Sequence, residues 1–196
     1  MPSPIAWVSA FAQQRGLRYE PEADERWLRA WEPYTTLRVP IRYEHALNAT
    51  GATGSISIAR AVVSAPAGEV GTWIAIVQDE RLTRRIAVTS DFATPFAESI
   101  DMIALARQAT GDASFDRHFA TFAASAEEAA AVTPSLRKLL FGWGVPVHAE
   151  MRPGGFVLAP VTVPPDPGGL AWMLDAVHLF GAKSTKQGML PRNIGS

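Results

Sequence analysis

The sequence predicts an α+β protein of two small lobes, each an antiparallel sheet or hairpin covered by helices. Three observations lead there. Stretches in which apolar and polar residues alternate, the period of a half-buried strand, occur in both halves of the chain. Helix-start signals, a small polar residue followed by proline or by an acidic residue three positions on, lie beside them. Short turns join consecutive strand stretches in the first half, which favours an antiparallel meander. The predicted division is residues 1–95, a helix pair plus the meander; residues 96–180, a strand, helices, a hairpin and a closing helix; and a polar tail over residues 181–196.

In the first lobe, Ser3 as cap and Pro4 at the first position start a helix whose Ile5, Val8, Phe11 and Ala12 share a face, and Gly16 closes it. Residues 17–19 read as a short strand. Pro21 is expected to open a second helix, in which Glu22, Asp24 and Glu25 precede Arg26 and Arg29 in the order the helix dipole favours. Trp27, Leu28 and Trp31 anchor it, and Pro33 stops it. Leu37, Val39, Ile41 and Tyr43 then alternate with Arg38, Pro40, Arg42 and Glu44, a strand whose proline suggests a sheet edge. Residues 48–54, with two glycines, read as a loop or hairpin connection. Strands over 55–63 and 72–77 and a fourth marked by Ile86 and Val88 complete the meander, with the two helices as its cover.

Residues 91–95 are the expected junction between lobes. For residues 96–110 neither period fits cleanly; a short helix is favoured, with a strand as the alternative. The second lobe opens with Gly111 and Asp112 and a strand over 115–122 that places Phe115 and Phe119 on one face. Ser125 and Glu128 form a capping box, because hydroxyl and carboxylate reciprocally satisfy amides that a helix start leaves unpaired. Thr133 and Pro134 restart the helix; Leu136, Leu139, Leu140 and Trp143 supply its buried stripe, and Gly142 or Gly144 the left-handed stop. Val145, Val147, Ala149 and Met151 alternate with His148, Glu150 and Arg152. Pro153 and Gly154 then meet the requirement of a type II turn, and a strand returns over 156–163. Asp166 and Pro167 start the last helix, in which Leu170, Met173, Leu174 and Val177 form one stripe before Gly181.

The string GDASFDRHF at 111–119, followed by VTPSLRKLL at 132–140 and a hairpin, resembles a widespread group of uncharacterised bacterial domains. The resemblance covers roughly the C-terminal half, as an ordered string of elements. Val132 stands where that group more often carries leucine. The resemblance implies no activity and no site.

Composition bounds the function. The 18 Lys and Arg residues against 19 Asp and Glu leave a formal charge of −1, so no overall field draws in a polyanion, and nucleic acid is not an expected partner. Cysteine is absent, which removes thiolate metal sites, cysteine nucleophiles and thiol switches. No apolar run reaches the roughly twenty residues a membrane-crossing helix needs. The apolar stretch at residues 5–12 has no Lys or Arg before it, which argues against a cleaved signal and for the cytoplasm.

The residues also yield no reaction constellation. The four histidines, His45, His118, His148 and His178, are scattered singly, without the close pairs typical of metal sites. No Gly-x-Ser-x-Gly elbow, phosphate loop or dinucleotide fingerprint is present, and the tryptophans mostly sit on apolar helical stripes, as core anchors do. The reading is therefore a non-catalytic cytoplasmic domain that binds another protein or acts as a structural accessory, with no cofactor and no metal. Met189, Leu190, Pro191 and Ile194, a short apolar cluster in a polar tail, are the expected partner contacts. One alternative is a small-molecule or lipid-binding module with a pocket between the lobes. A second is an enzyme using Asp116, His118 and His148, since Asp116 and His118 would share one strand face and both histidines would lie in one lobe.

Overall fold

The computed structural model describes residues 5–31, 40–51, 54–90, 105–161, 163–164 and 166–185. Helix α1 (Ile5–Gln14) leads through Gly16, whose φ of 65° needs a residue without Cβ, into strand β1 (Arg18–Glu22). Helix α2 (Glu25–Arg29) follows. Its cap is Asp24, whose side chain accepts from the Trp27 amide, and Pro21 lies inside β1 instead of opening the helix. The start was misplaced because β1 is an edge strand, where a missing amide is tolerated.

Strands β2 (Arg42–Gly51), β3 (Gly54–Ala65) and β4 (Gly68–Asp79) pair as consecutive antiparallel neighbours. Of the loop or hairpin connection expected over 48–54 the structure has the hairpin, with more of it in strand than expected: Asn48, Ala49, Thr50 and Gly51 pair with Ser57, Ile56, Ser55 and Gly54. Pro40 precedes β2, which lies between β1 and β3 and is no edge. Strand β5 is Ile86–Ser90 and β6 is Ala106–Gln108. For residues 96–110 the favoured helix thus gives way, over the part described, to the strand alternative. The expected junction at 91–95 and the Ser3–Pro4 helix start lie outside the described residues.

A further correction concerns the stretch 115–122. Asp112 accepts from the Ser114 and Phe115 amides and caps a one-turn helix, α3 (Ala113–Asp116), so only β7 (Phe119–Ala123) is strand. The spacing of Phe115 and Phe119 fits one helical turn as well as it fits alternation. The stacked pair lies with ring centroids 4.6 Å apart. Ser125 caps α4 (Ala126–Ala129), and Thr133 with Pro134 starts α5 (Pro134–Trp143), which Gly144 ends at φ 63°. Strands β8 (Val147–Arg152) and β9 (Gly155–Pro160) form the hairpin, with Gly154 at φ 88° as a type II turn requires. Asp166 caps α6 (Pro167–Ser184), which runs three residues past Gly181.

The two-lobe expectation is overturned. Among the described residues all nine strands form one antiparallel sheet in the order β1-β2-β3-β4-β9-β8-β5-β7-β6. The hairpin β8–β9 wedges between β4 and β5: Ala75, Ile76, Val77 and Gln78 pair with Leu158, Val157, Phe156 and Gly155, while Ile86 to Thr89 pair with Met151 to His148. The turn locks the wedge in place, because the Gly154 amide donates to the Leu82 carbonyl and the Gly154 carbonyl accepts from the Asp79 amide, both at 2.8 Å. Nothing in residues 80–85 announces that β5 will skip its chain neighbour. A meander is the local default, and a hairpin 65 residues downstream displaces it.

Alternation along the strands gives the sheet two buried faces. One carries Ile58, Trp73, Val77, Val88, Ala149 and Phe156 into the main core, where α1, α5 and α6 pack over it. The opposite face carries Tyr43, Ala46, Ala59, Ala61, Ile74, Ile76 and Val157, over which Leu28 of α2 is 1% exposed. At about 25 cal/mol per Å², burying one such leucine side chain contributes about 2 kcal/mol, which explains why a five-residue helix holds its place.

Candidate functional site

Two places concentrate polar chemistry. The first is enclosed. On β8, His148 and Glu150 point to the face shared with α2, both fully buried, beside Thr89 of β5, which pairs opposite His148. Thr89 Oγ1 and His148 Nδ1 are hydrogen-bonded at 2.7 Å. The Glu150 carboxylate accepts from Arg85 Nε at 3.0 Å and from Arg152 at 2.7 and 3.2 Å, while His148 Nε2 stands 3.5 Å from Oε2 without hydrogen-bond geometry. Burial pushes the Glu150 carboxyl up. The adjacent His148 imidazole and Arg152 guanidinium outweigh that effect and hold it at about 2. A carboxylate so tightly held is a poor general base near neutrality, since a base is most effective when its pKa approaches the working pH. Its geometry is that of a structural clamp: Arg152 also reaches the Trp31 carbonyl just beyond α2, tying the covering helix to the middle of the sheet.

The three residues singled out as enzyme candidates are dispersed. Asp116 closes α3 and accepts from the Thr110 amide with both carboxylate oxygens at 3.1 Å and from the Thr110 hydroxyl at 2.8 Å, a loop-fixing role. His118 is exposed; its Nδ1 lies 3.0 Å from the Ser114 carbonyl and its ring packs on Phe141. His148 lies on β8, separated by β5 from the strand that follows His118, and shares no described contact with Asp116 or His118. The pairing of Asp116 and His118 on one strand face does not arise, because Asp116 is helical. Among the described residues no group of three His, Asp or Glu side chains could hold a metal. Met189, Leu190, Pro191 and Ile194 lie outside the described residues.

The second place is open. Where α2 leaves the end of the sheet uncovered, the second face turns from apolar to polar, and a groove of about 480 Å³ runs along it. Arg18, Glu20 and Glu22 of β1, Asn48 and Thr50 of β2, and Ser55 and Ser57 of β3 form its floor, and Asp24 and Trp27 of the α2 segment form its wall. Asn48 Nδ2 donates to Glu20 Oε2 at 3.0 Å, and Arg18 Nη2 lies 2.8 Å from Glu20 Oε1, so three planar side chains hold one another in a row. Ser55 Oγ donates to Gln78 Oε1 at 2.7 Å. These residues do not stand out in sequence, because 48–54 reads as a loop or hairpin connection and Pro21 as a helix start. The usable signal was the polar row Asn48, Thr50, Ser55 and Ser57 at alternate positions of two paired strands. A second hollow of about 460 Å³ lies on the main-core side, lined by Arg81, Leu82, Arg84, Glu127, Thr133 and Met151 among others.

Among the described residues no helix is long and apolar enough to cross a membrane. No family model matches the chain, and no curated protein sequence matches it. One solved structure to which it is similar is the mycobacterial trehalose monomycolate transport factor A, TtfA. The TM-score is 0.65 at 9% identity, and the match covers 96% of this chain and 98% of that one. At that identity the likeness is one of fold, and it spans both chains nearly end to end.

Proposed function

We propose that this protein is a non-catalytic accessory factor of lipid transport, acting by holding a partner rather than by turning over a substrate. The observation that carries the reading is the end-to-end likeness of fold to TtfA, a trehalose monomycolate transport factor. Two features agree with it. The buried Glu150 carboxylate is engaged by Arg85 and Arg152, and in the groove Arg18 and Asn48 are tied to each other through the Glu20 carboxylate. An inter-lobe pocket has no place in this reading, because the sheet is continuous.

The experiment is depletion in the native host, with exported glycolipids and their precursors measured separately. Accumulation of precursor with normal synthesis in cell extracts is the expected result; an unchanged distribution removes the reading. The finer version gives the partner contact to Met189, Leu190, Pro191 and Ile194. A chain truncated after Thr185 keeps α6 and its buried cap residue Thr185, so loss of function in that variant without loss of fold is the expected result. Full function after truncation moves the contact elsewhere.

A further inference from the structure

We infer that the groove beside α2 is a binding site for an uncharged polyhydroxylated ligand, such as a sugar or the sugar head of a larger molecule. The inference stands on the groove alone and holds or fails separately from the transport reading. Its volume lies in the range of small-molecule sites, which run from about 300 to 1,000 Å³.

The lining selects the ligand class by exclusion. An aliphatic ligand would strip water from the Arg18, Glu20, Asn48, Ser55 and Ser57 side chains and return no hydrogen bonds, which costs more than its own burial yields. A phosphate or carboxylate would find Arg18 already engaged by Glu20 at 2.8 Å, with Glu22 and Asp24 also lining the groove, so the local charge repels anions. Vicinal hydroxyls suit the row, because each donates one hydrogen bond and accepts others, and the Arg18–Glu20–Asn48 row, joined through the Glu20 carboxylate, presents planar donors and acceptors side by side. Trp27 adds the complementary apolar element. It is half-buried, propped by Trp31 at 6.1 Å between ring centroids, and lines the wall above the floor, where its face can cover the C–H face of a ring. Ser57, only 6% exposed, supplies a hydroxyl recessed in the floor.

The test is a titration of the full chain with trehalose, maltose and, separately, inorganic phosphate, followed by amide and indole NMR. The two disaccharides should cause saturable shifts at Asn48, Ser57 and the Trp27 indole with Kd on the order of 1 mM, and phosphate should cause none there. Glu20→Gln should weaken the sugar about tenfold while far-ultraviolet circular dichroism stays unchanged, since an amide keeps the shape but loses the charge-assisted acceptor. Trp27→Leu, read in the same way, covers the case in which Glu20→Gln does not fold. No saturable shift at these residues with either sugar, or shifts with phosphate in their place, overturns the assignment.

Discussion

Arg152 and Glu150 lie two residues apart on one face of β8, and the Arg152 Nε donates to Glu150 Oε1 at 2.7 Å while the same guanidinium reaches the Trp31 carbonyl beyond α2. The carboxylate therefore serves as the hub through which a central strand, the Arg85 side chain and the covering helix are joined. Its carboxyl is held at about 2, below its value in an unfolded chain. A depressed folded pKa means the unfolded state takes up the proton first, so this stability is fully present above about pH 4.5 and is lost as pH falls towards 2. Glu150→Gln is expected to lower stability near neutrality by about 3 kcal/mol and to flatten the acid limb of a denaturation curve between those values. Urea midpoints for both proteins across that window measure it; parallel acid limbs would refute the hub.

Gly155 sits where β9 meets β4, and a Cβ there would come within 2.0 Å of the Val77 carbonyl oxygen and 2.6 Å of the Trp31 ring. The backbone oxygen cannot yield, because it belongs to the seam that joins the two halves of the sheet. Gly155→Ala is expected to cost about 2–3 kcal/mol, with the loss centred on the seam. Hydrogen exchange is the readout: faster exchange at Val77 and Phe156 than over residues 59–74, the part of the β3–β4 hairpin away from the seam, is the expected pattern.

How much of this was legible from sequence depends on the distance over which each signal acts. The caps at Ser125, Thr133 and Asp166 and the turn at Gly154 are decided within four residues, and the structure has each where the residues put it. The order of the strands is decided by which apolar faces match across long separations, and alternation carries no address. The groove escaped for a related reason. Asn48 reads as part of a connection and Ser57 as a strand residue like any other, and the two become a polar floor only when β2 and β3 are laid side by side. The charges around Glu150 were visible only as an alternation partner of apolar residues. A strand that is wet on one face in sequence is instead buried on both faces here, because ion pairing replaces water.

His45 and His178 give the protein a second, milder pH limb. Burial lowers both imidazoles from their ordinary value; for His45 the Glu44 carboxylate works against that and Arg60 with it, and for His178 Asp175 works against it. The unfolded chain then binds protons more readily than the folded one as pH falls below about 6.5, so stability declines as the pH drops from that value. His45 also holds a φ of 54° at the irregularity in β2, with Nδ1 2.9 Å from the Tyr19 hydroxyl. A His45→Gln, His178→Gln double variant should lose the dependence that sets in below about pH 6.5 while keeping the lower limb. Thermal midpoints below that value decide it, and an unaltered slope would assign the limb to other groups.

Asp116 and His118 offer the sharpest contrast between a structural and a catalytic role. The Asp116 carboxylate accepts three hydrogen bonds from Thr110, which fastens the end of the β6 segment to the α3 turn. Removing it leaves the Thr110 amide and hydroxyl without their partner, so Asp116→Ala should cost about 1–2 kcal/mol. His118 is exposed, with one bond to the Ser114 carbonyl and an edge contact to Phe141, and His118→Ala should change stability by less than about 1 kcal/mol. A catalytic pair would predict the reverse emphasis, because catalytic groups are commonly held in place at the expense of stability and their removal is tolerated or even stabilising. Chemical denaturation of the two single variants and of the double variant separates the readings. The structural reading expects a large, a small and an additive loss in that order, and a stabilised Asp116→Ala protein would contradict it.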